Sequence, residues 1–586
     1  MQNDKIPVIV GVTGHRDIVE DDYPMLKAAV ADTLEEILAM CGQGTPVIML
    51  NAFAEGADML CAEVAFEMGM DVYAMLPCPP ERYEKSFDDA RAVERLHEYL
   101  KRVKRVMVAP DVERNKDWIR ARVNIDDESY EYRQLGIQMA SNSHVLLALW
   151  DGKPPRTKFG CGTAEVVKFA LEQNYLSREH LYRPGSINES VVAWVKARRQ
   201  GDNPVTVERK WLSRKFCVTE DKELEGDFVA YATMPAYMRK IIARTSEYND
   251  EQVEISEGAV RLWKETEQLD EYRTCLRRHY IRSDELSYLK NQKKYNALLL
   301  AIACLGTLVA LFFMLYDDAS VNFMIYLCTF ALYALVGVTL FGKRRGVHKK
   351  YVEYRAFAEA IRIQFYSSMC INAEIQDCVC DLYSWTQKSD MIWISKALKA
   401  IAIVCPAQKL NVDSSEVMKV WIGNNPKPSG QLKYHSDRLG KNRRRAALYS
   451  RISSLIRITT IVIYTLIFVL ELVTAVLNGM GRHWFWEGAL SGEFEWRSLG
   501  VIIVGTATAA SLLFSSYLGK LSYGRKAADN ENMISLYSSA CERWKDVKDR
   551  PADEVEKFVR EVAREEIVEN GIWCSYVMDN DLEVEL

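Results

Sequence analysis

Four long, nearly uncharged apolar runs in the second half of the chain constrain its fold more than any other feature. Ala297–Tyr316 contains no charged residue, and Phe323–Phe341 follows it after the short turn 317–322. Leu455–Leu477 and Leu499–Leu518 form a second pair. At about 1.5 Å of rise per helical residue, some twenty residues reach about 30 Å, the thickness of a bilayer's hydrocarbon core. A buried soluble helix would explain any single run. Four runs in two hairpins, each at the length limit, are expected to span a membrane. The mean hydropathy of −0.15 conceals this, because the apolar residues are concentrated in these segments.

Basic flanks predict the orientation. Lys290, Lys293 and Lys294 precede the first run, and Lys343, Arg344 and Arg345 follow the second. Arg443, Arg444, Arg445 and Arg451 precede the third, and Lys520, Arg525 and Lys526 follow the fourth. The first intervening turn carries Asp317 and Asp318 but no basic residue. The second has Arg482 and Arg497 beside Glu487, Glu493 and Glu495. Positive residues favour the cytosolic side, so both termini and the stretch between the two hairpins are expected there. The amino terminus, MQNDKIPVIVGVTG, has no basic stretch followed by an apolar one, and reads as a first strand rather than a secretory signal.

Residues 1–175 have a different texture. Short apolar runs at Val8–Val12, Val47–Leu50, Asp71–Leu76, Arg105–Val108 and Val145–Trp150 alternate with helical patterns. The helices are expected at Tyr23–Met40, Ala57–Met68, Tyr83–Val103, Asp127–Ser141 and Thr163–Glu172. This alternation predicts an α/β Rossmann-like, doubly wound domain with parallel neighbouring strands. Residues 176–237, Arg-rich and broken at Pro184-Gly185 and Gly201-Asp202, are expected to form a linker or lid. Residues 238–586 read as an all-α membrane region. The net charge of −5 does not point to nucleic acid. The fourteen cysteines form no metal-ligand spacing. The closest cluster, Cys370, Cys378 and Cys380, reads as packed thiols, and no metal site is expected.

Three glycine-bearing loops follow expected strands, at the sheet edge where open α/β folds bind ligands. They are Gly11–Asp17 with Gly14, His15 and Arg16; Asn51–Asp58 with Glu55, Gly56 and Asp58; and Asp151 followed by Gly160, Gly162, Thr163 and Glu165. Glycine lets backbone N–H groups approach an anion, and a helix N-terminus adds a positive dipole end. The combination predicts a phosphate or nucleotide site.

The stretches GVTGHRD, AEGADMLCAEVA, LPCPPERYEKSF, and LLALWDGK with GCGTAEVV make residues 6–175 resemble the SLOG superfamily. This is the Rossmann-like group that includes the LOG phosphoribohydrolases and the DNA-processing protein DprA. The resemblance implies that Gly160, Gly162 and Thr163 hold phosphate. Glu165 would be the acidic residue, one position earlier than in the LOG motif, and Arg133 the nearest match to the catalytic arginine. The later region, through the stretch Tyr351–Glu359 and through Glu565, Glu566 and Trp573, resembles SLATT-type transmembrane effectors, with four spans where one unit has two.

Together the resemblances imply a bacterial inner-membrane effector of antiphage defence. Its ligand would be a nucleotide-derived second messenger, a cyclic nucleotide or an NAD/ADP-ribose derivative, made by a nucleotide-synthesising signalling enzyme. Binding would drive a homo-oligomer to open or disrupt the bilayer. The binding set would be Gly14, His15, Arg16, Glu55, Gly56, Asp58, Asp151, Gly160, Gly162, Thr163 and Glu165, with Thr163 capping its helix. The alternative is a membrane-tethered nucleotide or NAD glycoside hydrolase using Glu165 and Arg133. Two further expectations concern the helices. Tyr351, Tyr354, Arg355, Glu359 and Arg362 recur at helical spacing, which predicts an amphipathic helix with internal ion pairs, continuous with the second span. Glu471, inside the third run, is expected either to face a pore or to sit near the outer interface.

Overall fold

The computed structural model describes residues 5–109, 126–154, 161–172, 190–203, 206–214, 223–225, 228–255, 262–263, 269–317, 322–371, 391–408, 410, 412–424, 427–482, 484–491 and 494–579. They divide into two compact units. One comprises Met1–Ile281, Ala356–Asn411 and Val559–Ile572, the other Arg282–Arg355, Val412–Phe558 and Trp573–Leu586.

The first unit is built on one mixed sheet. Its strands are β1 (Val8–Gly14), β2 (Val47–Asn51), β3 (Asp71–Leu76), β4 (Arg105–Val108), β5 (Val145–Trp150), β6 (Val191–Lys196), β7 (Arg209–Arg214), β8 (Glu223–Glu225) and β9 (Phe228–Tyr231). Their spatial order is β4-β3-β2-β1-β5-β6-β7-β9-β8. All pairs from β4 to β6 are parallel. The remaining three pairs are antiparallel. The central strands VIVGVTG and VLLALW are apolar on both faces and buried along their length, apart from partly exposed Gly14. A parallel sheet covered on both sides requires such sequences. At the β4 edge the residues alternate, with Val106 and Val108 exposed.

Helices α1 (Tyr23–Cys41), α2 (Ala57–Glu67), α3 (Ala90–Arg102), α4 (Asp127–Asn142) and α5 (Thr163–Glu172) connect the parallel strands. The single helix expected over Tyr83–Val103 is instead a short turn at Pro80–Tyr83, a 3-10 turn at Glu84–Ser86, and α3. Asp89 causes the break: its carboxylate accepts from Arg91 N at 3.0 Å and starts a new helix. The larger correction concerns the expected linker or lid at 176–237. Its described residues contribute β6 to β9, and β6 pairs with β5 in register, Val145 opposite Val191.

The rest of the first unit is helical. It includes α6 (Ala236–Asp250), the greater part of α7 (Glu271–Glu285) and of α10 (Val347–Ile371), and α11 (Ile392–Val404). Two lysines in the apolar sequence of α11 reach the C-terminal end of α4. Lys396 Nζ donates to Ser143 O at 2.6 Å and Ser190 Oγ at 2.9 Å, and Lys399 Nζ to Ser141 Oγ at 3.0 Å. Cations there complement the negative end of the helix dipole. Of the cysteine cluster, Cys370 is buried, and Cys378 and Cys380 lie outside the described residues.

The second unit holds α8 (Lys293–Asp317), α9 (Met324–Arg345), α12 (Ser414–Trp421), α13 (Gly430–Gly479), α14 (Trp496–Lys520) and α15 (Tyr523–Val547). The last helix, α16 (Ala552–Asp579), crosses both units in sequence. Among the described residues, four helical stretches are long and apolar enough to cross a membrane: Glu271–Asp317, Met324–Cys370, Gly430–Gly479 and Trp496–Val547. Their apolar side chains face outward; Phe330 is 75% exposed and Phe468 67%. Water would not tolerate such a surface, and lipid would cover it.

Glu471 lies in the C-terminal part of α13. Its carboxylate accepts from Arg497 Nε at 2.8 Å, in the first turn of α14, and from Trp486 Nε1 at 3.1 Å, in the segment joining α13 and α14. Gly346, at φ 56°, caps α9, and α10 starts at the next residue of the same long helical stretch. Helix α10 is not amphipathic. Tyr351, Tyr354, Glu359 and Arg362 are all buried; the expected internal ion pairs are present, Glu359 with Arg362 and Lys349 with Glu353, while Arg355 pairs with Asp284 outside the helix.

Candidate functional site

The strand order reverses at β1. The chain steps from β1 through β2 and β3 to β4 on one side, then returns to place β5 on the other. Loops leaving β1 and β5 therefore diverge above the sheet, and a cleft opens between them, as at the ligand crevice of doubly wound folds. It holds about 510 Å3 and is lined by the β1 loop, part of the β2 loop, Tyr83, one face of α4, Asp151 and Lys153, and the first turn of α5. Gly14, His15, Arg16, Asp58, Asp151, Gly162, Thr163 and Glu165 all border it.

Other expected residues fall elsewhere. Gly160 lies outside the described residues. Glu55 and Gly56 do not line the cleft; Gly56 has a structural task. Its φ is +76°, and a Cβ there would stand 2.2 Å from Arg16 O. Glycine lets α2 begin against the β1 loop, where Ala57 N donates to His15 O at 3.1 Å. Gly14 serves the same closure, since a Cβ on it would meet Ala57 Cβ at 2.3 Å. Phe53 is strained: this buried, non-glycine residue sits at φ 57°, held by Asn51 Oδ1, which accepts from its N–H at 2.6 Å.

His15 Nε2 lies 3.2 Å from both Asp151 N and Asp151 Oδ1. Burial pushes its pKa below the ordinary histidine value, although Asp151 opposes this, so the imidazole is neutral and accepts from the Asp151 amide. Asp17 is held by Arg199 Nε at 2.8 Å and Lys153 by Asp202 at 2.9 Å. Arg16 differs. Its guanidinium donates to Ser86 O at 3.1 Å and Tyr132 Oη at 3.4 Å, and among the described residues it makes no ion pair. Asp58 is buried at the cleft wall, where loss of water raises its carboxyl pKa to about 7.

The α5 entry is occupied by the protein's own anion. Glu165 Oε2 accepts from Gly162 N at 3.1 Å, so the carboxylate reaches back to the residue before its helix. Glu165, not Thr163, supplies this cap. Desolvation raises the Glu165 pKa. Arg133 is buried and does not line the cleft; its guanidinium lies 4.7 Å from the Phe169 ring centroid. It lies close enough to Glu165 to favour the carboxylate electrostatically.

Tyr83, Tyr132 and Arg199 belong to the cleft but were not among the residues expected from sequence. Tyr83 lies within LPCPPERYEKSF, so local pattern had already marked its surroundings. Arg199 reaches Asp17 across 182 residues, and no local pattern marks it. No family model and no curated protein sequence matches the chain.

Proposed function

We propose that the cleft binds a phosphate-bearing, nucleotide-derived ligand and that the chain is a membrane effector responding to it. The ligand class is a cyclic nucleotide or an NAD/ADP-ribose derivative. The observation that carries the reading is Arg16, a cation that makes no ion pair among the described residues, at the switch-point cleft that also contains the α5 entry. The volume suits a nucleotide-sized molecule. Tyr83 and Tyr132 offer aromatic surface to a base, and Asp58 and Asp151 offer acceptors for sugar or base donors. Phosphate would displace the Glu165 carboxylate from the Gly162 amide and meet Arg16.

In this reading the SLOG-like domain senses a messenger supplied by a signalling enzyme, and the SLATT-like spans open or disrupt a bacterial inner membrane, with both termini in the cytosol. Glu471 is engaged at one end of its span, so one subunit has few polar groups with which to line an aqueous path. A pore then requires several copies around an axis, and ligand favours it only by binding the open state more tightly. The test begins with mass spectrometry of small molecules co-purifying with the protein. Dye leakage from proteoliposomes follows, with and without that molecule. Leakage should require the molecule and be lost in Arg16→Ala. Tight vesicles with binding confirmed would overturn the pore.

Hydrolysis is a second reading, favoured by the raised pKa of Glu165 at the cleft. Glu165→Gln separates the two. A glycosidase would lose turnover, whereas a receptor would retain gating at an altered ligand concentration.

A further inference from the structure

A second, smaller cavity lies in the other unit, where the apolar helices meet their basic flanks. Its walls come from Gln292 and Tyr295, from His348 at the start of α10, from the junction 520–529 after α14, and from Trp573 and Tyr576 of α16. It holds about 40 Å3. At about 10–15 Å3 per water, that admits three or four waters, or one phosphate group, and excludes a nucleotide.

Two irregularities converge on this space. The helix entering the first span changes to a π turn over Leu286–Gln292, and such turns are frequent at functional sites. Ser522, between α14 and α15, is a non-glycine residue at φ 50°, a conformation that persists only when its surroundings enforce it.

The lining is basic. Lys520, Arg525 and Lys526 line the cavity with one carboxylate, Asp529, which lies 3.0 Å from Arg525 Nε. Lys526 Nζ lies 5.1 Å from the Tyr523 ring centroid, and the Arg445 guanidinium 5.5 Å from the same ring. Among the described residues Lys526 makes no ion pair. Burial, with Arg445 adding to it, lowers the Lys526 pKa. An anion would relieve both costs. Aromatic rings complete the walls, with Tyr295 and His348 centroids 4.4 Å apart and Arg525 5.2 Å from the Tyr576 centroid.

We propose that this cavity holds the phosphate of an anionic membrane phospholipid, drawn in by Lys526 and Arg525, with the acyl chains along the outward apolar surface of the spans. The proposal rests on reading the four helices as membrane-spanning. Depth argues for lipid over free phosphate: Lys520 and Lys526 follow the last apolar run directly, at headgroup level, where basic pockets between spans recognise anionic lipids.

The test uses the full chain in nanodiscs of phosphatidylcholine with and without phosphatidylglycerol, then detergent extraction and native mass spectrometry of retained lipid. Phosphatidylglycerol should be retained in preference to phosphatidylcholine, and Lys526→Ala should weaken retention about fivefold, as expected for one interfacial cation. Arg525→Gln is the second variant should the first not fold. Lys343→Ala, at an exposed lysine outside the cavity, should leave retention unchanged. Equal retention of the two lipids, an equal loss in Lys343→Ala, or displacement by millimolar inorganic phosphate would each overturn the proposal. Carbonate extraction of membranes separates the two readings. A chain released as soluble denies the spans, and a chain that stays bound without lipid preference denies only the headgroup site.

Discussion

Asp58 shows how one buried carboxyl couples the cleft to pH. Its pKa is about 3.8 in an ordinary setting and about 7 in the fold, because burial penalises the charged form more than Arg16 and the Ala54 amide favour it. The folded state therefore holds a proton that the unfolded chain has released. Stability from this group is full below about pH 4, falls as pH rises to about 7, and is flat above, with a slope of up to about 1.4 kcal/mol per pH unit. Thermal melts across that range should show the decline in wild type and a flatter profile in Asp58→Asn. Parallel profiles would place the titration elsewhere. At the α5 entry, Gly162→Val should leave the fold intact, since an added Cβ would meet only Glu165 Oε2, at 3.1 Å, on a side chain free to move. Losing access to that amide removes a charge-assisted hydrogen bond, so ligand affinity should fall about tenfold or more by calorimetry. The glycine loops were legible in sequence because strand, turn and helix start are neighbours along the chain. What the glycines do was less legible. Gly56 spares a clash with Arg16 O, which is distant in sequence, and Glu165 fills the site that a phosphate was expected to claim.

The parallel core was readable because apolar runs and amphipathic stretches alternate at regular intervals. Strands β6 to β9 escaped because they lie among arginines and breaks, without the regular alternation with helices of the first five, and are defined by pairing onto β5 and onto one another. The charged helix α10 misled for a related reason. Charges at three- and four-residue spacing look like a solvated face, yet here they neutralise one another within a core. Arg362 lies 2.5 Å from Glu359 and 3.3 Å from Glu566 on α16, and all three are buried. Arg362→Leu would remove the cation that these two buried carboxylates share, and breaking such a pair typically costs about 3–5 kcal/mol. The thermal midpoint in detergent should fall clearly, and Arg362→Leu combined with Glu566→Leu should recover part of the loss. A single variant that melts with wild type would mean that Arg362 does not stabilise these acids.

For the whole molecule, the four spans were the most legible element of all, because bilayer thickness fixes their length before any packing is considered. Their direction rests on charge. The expected outer segments carry Arg482 and Arg497, and Arg497 is neutralised by Glu471 at 2.8 Å, so its weight in the orientation count is small. Against these stand Lys293, Lys294, Lys343, Arg344 and Arg345 around the first hairpin, and Arg443, Arg444, Arg445, Lys520 and Lys526 around the second. Inserting both hairpins the other way would carry all of these across the membrane. A reporter active only outside the cytosol should therefore work when placed between α8 and α9 or between α13 and α14, and stay silent at Gly430 and at the carboxyl terminus. Gly430 is the decisive position. It begins a helix of fifty residues whose apolar part starts only near Leu455, so some 37 Å of charged helix precedes the membrane at about 1.5 Å per residue. Activity there would reverse the second hairpin, put the basic cluster outside, and leave the Lys526 cavity facing the wrong leaflet.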